Sequence, residues 1–194
     1  MKLAEISKNP IICSIIIRAA LGRGKILSYL KDSMQLKKGD RILDVGCGTG
    51  EASLYFPDEY LGIDPSGDYI NFAVKKYGAK FAKMDGKKLL FPDGAFQYIF
   101  CTNVFHHIGD EDVIGIVREM KRVCANSGSV YVADAVWPDK FNIIGKIIFA
   151  MDMGKHQRTT EGFSELLKKE GFEVMVSKMK GTFPHKYSVY CYKK

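Results

Sequence analysis

The sequence predicts an α/β protein: a seven-stranded, mostly parallel sheet with helices on both faces and the last strand antiparallel. Three observations carry this. Strand-like and helix-like runs alternate for five cycles, and chains that alternate in this way form parallel βαβ units with a sheet covered on both sides. The last two strand-like runs have no helix between them, so they pair antiparallel. No repeat, low-complexity tract or Pro/Gly/Ser linker divides the 194 residues, a length that suits a single core.

Taken in order, "RILDVG" (41–46) is a short buried strand, and "EASLYF" (51–56) begins a helix that Pro57 cuts short. "EYLGID" (59–64) is the second strand. "PSGDYINFAVKKYG" (65–78) is a helix with Ile70, Phe72, Ala73 and Tyr77 near helical spacing and Gly78 at its stop. "AKFAKMD" (79–85) and "FQYIFCTN" (96–103) are the third and fourth strands. A helix over 110–124 sets Val113, Ile116, Val117 and Met120 on one face, and "GSVYVADAV" (128–136) is the fifth strand. "TEGFSELLKKEG" (160–171) is a helix closed by Gly171, followed by strands at 172–179 and 187–194. The expected layout is one domain over 1–194: an N-terminal helical cap (1–38), a ligand-binding core (39–136), an insertion or lid (137–159), and the final helix and strand pair (160–194). Cap and insertion fall where they can cover the C-terminal edge of the sheet, the usual ligand site of open α/β sheets.

Composition narrows the function classes. The apolar run "IICSIIIRAAL" covers only 11–21 and is broken by Arg18, against about 20 residues for a membrane span. No span is expected, and Glu5 and the lack of a small-residue cleavage site argue against a signal peptide, leaving a cytoplasmic expectation. Five cysteines, an odd number with no CxxC pair, form neither a disulfide framework nor a zinc pattern. The formal charge of +7 suits nucleic acid, an anionic membrane surface or an acidic small substrate equally.

The most informative segment is "ILDVGCGTGEA" (42–52). A buried strand runs into Gly46, Gly48 and Gly50, which permit a tight turn and close ligand approach. The dinucleotide pattern GxGxxG fails, because Glu51 stands at its third glycine, and no GK[ST] follows for a P-loop. A negative Glu51 near a helix start is also unfavourable to a pyrophosphate. The loop suits a nucleoside ligand without phosphates whose other end is zwitterionic.

"ILDVGCGTG", followed by "GIDPS", "KMDG" and "FQYIFCTNVFHHI", resembles the class I S-adenosylmethionine-dependent methyltransferases of the small-molecule type over roughly residues 40–135. The resemblance implies a Rossmann-like fold and S-adenosyl-L-methionine as cofactor, with S-adenosyl-L-homocysteine as product. It implies that Asp44 orders the loop and meets the methionine amino group, and that Gly46, Cys47, Gly48 and Gly50 wrap that moiety with backbone. Asp64 would accept from both ribose hydroxyls, Pro65 and Ser66 would flank the adenine, Asp85 and Gly86 would meet its edge, and Thr102 would line the methionine side. The competing reading of each acid is a helix cap or turn residue.

His106 and His107 invite a metal reading. Neighbours in an extended segment point to opposite sides, and no HxxxH, HxH or Cys/His cluster accompanies them, so no metal is expected. An even count from Thr102 puts His106 on the pocket side as a candidate catalytic base, useful if the acceptor must lose a proton from oxygen or nitrogen, while His107 is assigned to structure. In the insertion, Phe141, Ile144, Ile147, Ile148 and Met151 sit near helical spacing. They make either a helix packed on the body or a lid that receives a hydrophobic or sugar-like acceptor at Trp137, with Lys155, His156 and Arg158 holding an anionic group. Arg18, Arg23 and Lys25 would form the opposite wall, and such apolar, basic helices suit loose contact with an anionic membrane. Nucleic acid is disfavoured: "CTNV" stands where base amino-methyltransferases carry NPPY or DPPY. The expected function is methyl transfer to a small or lipid-like acceptor. The alternatives are a catalytically silent S-adenosylmethionine-binding regulator or scaffold, and an NAD(P)-dependent oxidoreductase, which Glu51 argues against.

Overall fold

A computed structural model of the chain describes residues 23–56, 59–78, 80–146, 156–176, 178–182 and 185–194. Arg18, the apolar run 11–21, Pro57, Ile147, Ile148, Met151 and Lys155 lie outside the described residues. Seven strands, β1 (Ile42–Val45), β2 (Tyr60–Asp64), β3 (Phe81–Lys83), β4 (Phe96–Thr102), β5 (Cys124–Val136), β6 (Glu173–Val176) and β7 (Lys186–Lys193), form one sheet in the order β3-β2-β1-β4-β5-β7-β6. β1 pairs parallel with β2 and β4, β2 with β3, and β4 with β5. β7 runs antiparallel to β5 and β6. The expected architecture is therefore present.

The helices are α1 (Arg23–Met34), α2 (Gly67–Tyr77), α3 (Asp110–Val123) and α4 (Thr160–Lys169). The period of two in the strands and 3.6 in the helices sorts the apolar residues onto two faces. On one face Leu43, Ile99, Cys101, Val130 and Val132 pack with Val113, Ile116, Val117 and Met120 of α3 and with Phe163, Leu166 and Leu167 of α4. On the other, Ile42, Phe100, Tyr131 and Ala133 meet Ile26, Leu27, Leu30 and Met34 of α1 and Ile70 and Ala73 of α2. A sheet buried on both sides follows.

Three local expectations need correction. The segment after the glycine loop is a 3-10 turn, Glu51–Leu54, with Ser53 N–H on Gly50 O and Tyr55 N–H on Ala52 O. β5 begins at Cys124, not at 128, because Cys124 pairs with Phe96 across a bulge before the regular register starts at Tyr98 and Ser129. Residues 105–107 form a 3-10 turn, not a continuation of β4, so an even count from Thr102 says nothing about which way His106 faces.

The strand order reverses between β1 and β4. A crevice at the C-terminal ends of these two strands is the position where open α/β sheets take ligands.

Candidate cofactor and methyl-transfer site

β1 ends at Val45 and the chain turns back through the glycines. Gly46 has φ of 78°, and a Cβ there would stand 2.4 Å from Val104 Cγ2. Gly50 has φ of 81°, and a Cβ would stand 2.7–2.8 Å from the Phe81 ring and Ala73 Cβ. Neither position admits a side chain. Gly46 and Cys47 both donate to Ile63 O at 2.8 and 2.9 Å, Gly48 donates to Asp64 Oδ2 at 3.0 Å, and Gly50 donates to Cys47 O at 3.1 Å. These four N–H groups hold the loop in shape and are not free for a phosphate. The Cβ side of Gly48 faces open space, so the loop offers a ligand shape. The Cys47 side chain is fully buried against Gly62, and burial pushes its thiol far up, making it an inert packing group.

Asp64 ends β2, 8% exposed. Its two oxygens accept from Gly48 N–H at 3.0 Å and Ser66 N–H at 2.8 Å, joining the loop to the start of α2. Each oxygen keeps a further lone pair for a ligand hydroxyl. Burial raises its pKa while these two backbone donors hold it down. Pro65 is exposed, and the Ser66 hydroxyl caps α2 by accepting from Tyr69 N–H at 3.4 Å. Asp85 is exposed and closes its own turn by accepting from Lys87 N–H at 2.9 Å. Gly86 is buried where a Cβ would meet Val45 Cγ1 at 3.0 Å. Ser66 and Asp85 thus also do the local work of a cap and a turn residue.

Asp44 is 1% exposed, with Oδ2 accepting from Tyr60 O–H at 2.6 Å and Oδ1 buried without a partner. Burial lifts its pKa to about 7, against the pull of the Tyr60 hydroxyl and the positive charge of Arg23. Thr102, 2% exposed at the end of β4, also buries an unpartnered Oγ1. Buried polar atoms normally find partners, so an acceptor at Asp44 and a hydroxyl at Thr102 fit a ligand bearing an ammonium. Beside them Asn103 has φ of 58°. Asn tolerates this left-handed conformation better than most residues, and it turns the chain out of β4 at the switch point.

The histidine turn holds the feature that the sequence reading missed. His106 is buried, and its Nδ1 lies 2.5 Å from Oδ1 of Asp134, itself 2% exposed in β5. Asp134 also accepts from Phe105 N–H at 2.6 Å and Ala135 N–H at 2.7 Å. Against a carboxylate so placed, Nδ1 is the protonated nitrogen, which makes Nε2 the basic one. His107 is exposed, and its ring centroid lies 3.9 Å from that of His106. The expectation that the two rings part to opposite sides is therefore wrong, because the turn is not extended.

Arg158 is also corrected. Its Nη1 donates to Phe105 O and His156 O at 2.6 and 3.0 Å, its Nη2 to Ile108 O and Asp110 Oδ1 at 2.8 and 2.6 Å, and its Nε to Asp110 Oδ1 at 2.8 Å. All five donors brace the histidine turn, leaving none for an acceptor's anionic group. His156 is exposed and donates its N–H to His106 O at 3.1 Å, while Trp137 is 40% exposed just past β5. A surface cleft of about 360 Å³, lined in part by Arg41, Glu59, Phe91 and Phe96, lies at the opposite ends of the same strands and is separate from this site.

The C-terminal ends of the strands at the switch point thus carry a glycine loop, an acid closing β2 and a buried carboxylate with an unpartnered oxygen. Residues 42–128 match the family described as a methyltransferase domain. That segment holds the glycine loop, Asp64, Asp85 and the end of β4, the residues that carry the resemblance to the class I S-adenosylmethionine-dependent methyltransferases. The chain is 26% identical over 155 residues to phosphoethanolamine N-methyltransferase 3 of Arabidopsis thaliana, covering 75% of this chain and 31% of that one. It is 32% identical over 124 residues to a fatty-acid O-methyltransferase of Mycolicibacterium smegmatis, covering 59% and 44%. The structure of Haemonchus contortus phosphoethanolamine N-methyltransferase 2 in complex with S-adenosyl-L-methionine superposes with a TM-score of 0.70 at 17% identity, covering 89% of this chain and 52% of that one. The chain thus spans about a third of the length of its phosphoethanolamine N-methyltransferase relative.

Proposed function

We propose that this chain binds S-adenosyl-L-methionine and transfers its methyl group to an oxygen or nitrogen of a small or lipid-like, anionic acceptor. The observation that carries the reading is the pair of buried, unpartnered atoms, Asp44 Oδ1 and Thr102 Oγ1, on the neighbouring strands β1 and β4 at the switch point. The cofactor supplies a methyl already made electrophilic by its sulfonium. What the chain adds is alignment and exclusion of water. Asp44 takes the ammonium, Asp64 the ribose hydroxyls, Pro65 and Ser66 flank the adenine, and Asp85 and Gly86 border its edge. His106, held by Asp134, takes the acceptor's proton at Nε2.

The acceptor side of this reading falls to the described parts of the expected lid, 137–146 and 156–159, and of the expected cap, 23–38. Phe141, Ile143 and Ile144 are 90%, 68% and 55% exposed beside the part-exposed Trp137, an apolar surface suited to an aliphatic acceptor or to loose contact with an anionic membrane. Among the described residues no helix is long and apolar enough to cross a membrane, in keeping with a cytoplasmic enzyme that meets lipid only at a surface. Both relatives named above act, by their names, on anionic molecules, phosphoethanolamine and a fatty acid.

The test is release of S-adenosyl-L-homocysteine across pools of phosphobases, fatty acids and polar metabolites. With an active acceptor in hand, His106→Ala is expected to lower kcat by about 10²–10⁴, the usual worth of a positioned base, with cofactor affinity within about twofold of wild type. Undiminished turnover would remove the base assignment. Tight cofactor binding with no release on any pool would favour the silent regulator or scaffold instead.

A further inference from the structure

The histidine turn, 105–107, is held from two sides. From β5, Asp134 accepts from Phe105 N–H at 2.6 Å and lies 2.5 Å from His106 Nδ1. From the far side, residues 156–158 donate to the carbonyls of the same two residues: Arg158 Nη1 to Phe105 O at 2.6 Å, and His156 N–H to His106 O at 3.1 Å. Arg158 also reaches past the turn, to Ile108 O at 2.8 Å and to Asp110 Oδ1 at 2.6 Å where α3 begins. Its side chain is 12% exposed, and the guanidinium lies 5.8 Å from the Phe163 ring, which packs edge-on against Phe105. The two jaws of this clamp are the strand that enters the segment 137–159 and the stretch that leaves it. Trp137 N–H joins them by donating to Arg158 O at 2.8 Å.

Resting on the role proposed above for His106, we infer that Arg158 is a positioning residue for methyl transfer: its forked guanidinium fixes the turn so that the His106 ring stays on Asp134 with its proton at Nδ1. A 3-10 turn this short has few bonds of its own, His107 N–H on Val104 O and Ile108 N–H on Phe105 O at 3.0 and 3.4 Å, and their geometry is poorer than in an α-helix. Its shape therefore depends on partners outside it. Phe105 N–H and His106 Nδ1 share one carboxylate, so a turn that slackens loosens both bonds together. A neutral imidazole released from that carboxylate can carry its proton on either nitrogen. The fork serves two carbonyls and a carboxylate at once, which the compact ammonium of a lysine does not match. The base is thereby seated by the exit of the very segment assigned to the acceptor, and the two sides of the reaction are braced as one piece.

Nitrogen-15 NMR of the imidazoles tests this in the chain alone, with His106→Ala identifying the His106 signals. The wild type is expected to show one neutral form, protonated at Nδ1. Arg158→Gln is expected to raise the form protonated at Nε2 at least about tenfold, the equivalent of one weakened charge-assisted bond, and Arg158→Lys to recover part of the wild-type pattern. With an acceptor in hand, Arg158→Gln should lower kcat by up to about a hundredfold, the scale of a small misplacement, with KM near that of wild type. Arg122→Gln is the matched control. That arginine likewise braces carbonyls and acids, Leu89 O, Phe91 O, Asp93 and Glu119, but at the other end of α3, and its loss should leave the His106 ring unchanged. If Arg158→Gln does not fold, Asp110→Ala, which removes a carboxylate 67% exposed and one arm of the clamp, should give a smaller shift in the same direction. A ring unchanged in these variants, or disturbed as much by Arg122→Gln, would overturn the assignment. A wild-type chain with the expected ring signature that binds no S-adenosylmethionine would instead defeat the function proposed above, so the two failures read differently.

Discussion

Asp64→Ala is expected to weaken S-adenosylhomocysteine binding by at least about a hundredfold, as measured by calorimetry. The carboxylate holds the Gly48 and Ser66 N–H groups, and each hydrogen bond to a charged group contributes about 1.5–3 kcal/mol. Alanine removes both, so the glycine loop loses its tie to the end of β2 and α2 loses the anchor of its N-cap residue. The lone pairs proposed for the ribose hydroxyls go with them. Asp64→Asn separates the two effects, since an amide oxygen can serve one N–H but its NH2 group cannot accept from the other. The asparagine variant should fold and bind with a loss between those of wild type and alanine. Wild-type affinity in Asp64→Ala would show that the ribose assignment is wrong.

The second large effect is in pH. Burial raises the pKa of Asp44 from 3.8 to about 7, so the group holds its proton in the folded apo chain through the range in which the unfolded chain has lost it. A native state that binds more protons than the unfolded one loses stability as pH rises. The window runs from about 4 to about 7, and the loss is roughly 1.4 kcal/mol per pH unit within it, on the order of 4 kcal/mol in all. Ligand binding runs the other way. An ammonium needs the ionised carboxylate, so cofactor affinity should fall about tenfold for each pH unit below 7. Asp44→Asn should flatten both profiles, raising apo stability near neutral pH while lowering affinity. A wild-type binding profile that stays flat from pH 5 to 7 would contradict the role given to Asp44.

Much of the cofactor half was legible in the sequence. β1, the glycines and β2 announce themselves because strands buried on both faces are mostly apolar, and because Gly46 and Gly50 sit where a Cβ would strike Val104 or Phe81. Asp64 was legible as an acid at a strand end. The histidine turn was not. Its reading assumed an extended chain past Thr102, and only the fold reveals the 3-10 turn. Asp134 lay hidden inside the apolar strand "VYVADAV", since its reason for being there is an imidazole and two N–H groups, two of the three partners lying 28 and 29 residues away in sequence. Arg158 reads as a holder of the acceptor's anionic group until the carbonyls of Phe105 and Ile108 are seen to surround it. What spacing along the chain conveys is periodicity and local turns. Which distant groups satisfy one another is a property of the packed molecule.

The most direct measurement is a titration of the purified chain with S-adenosylhomocysteine and, separately, with NADH. One binding site per chain for S-adenosylhomocysteine and none for NADH is the result expected from a loop whose four engaged N–H groups, at 46, 47, 48 and 50, offer nothing to a pyrophosphate. Binding of NADH with no response to S-adenosylhomocysteine would contradict it.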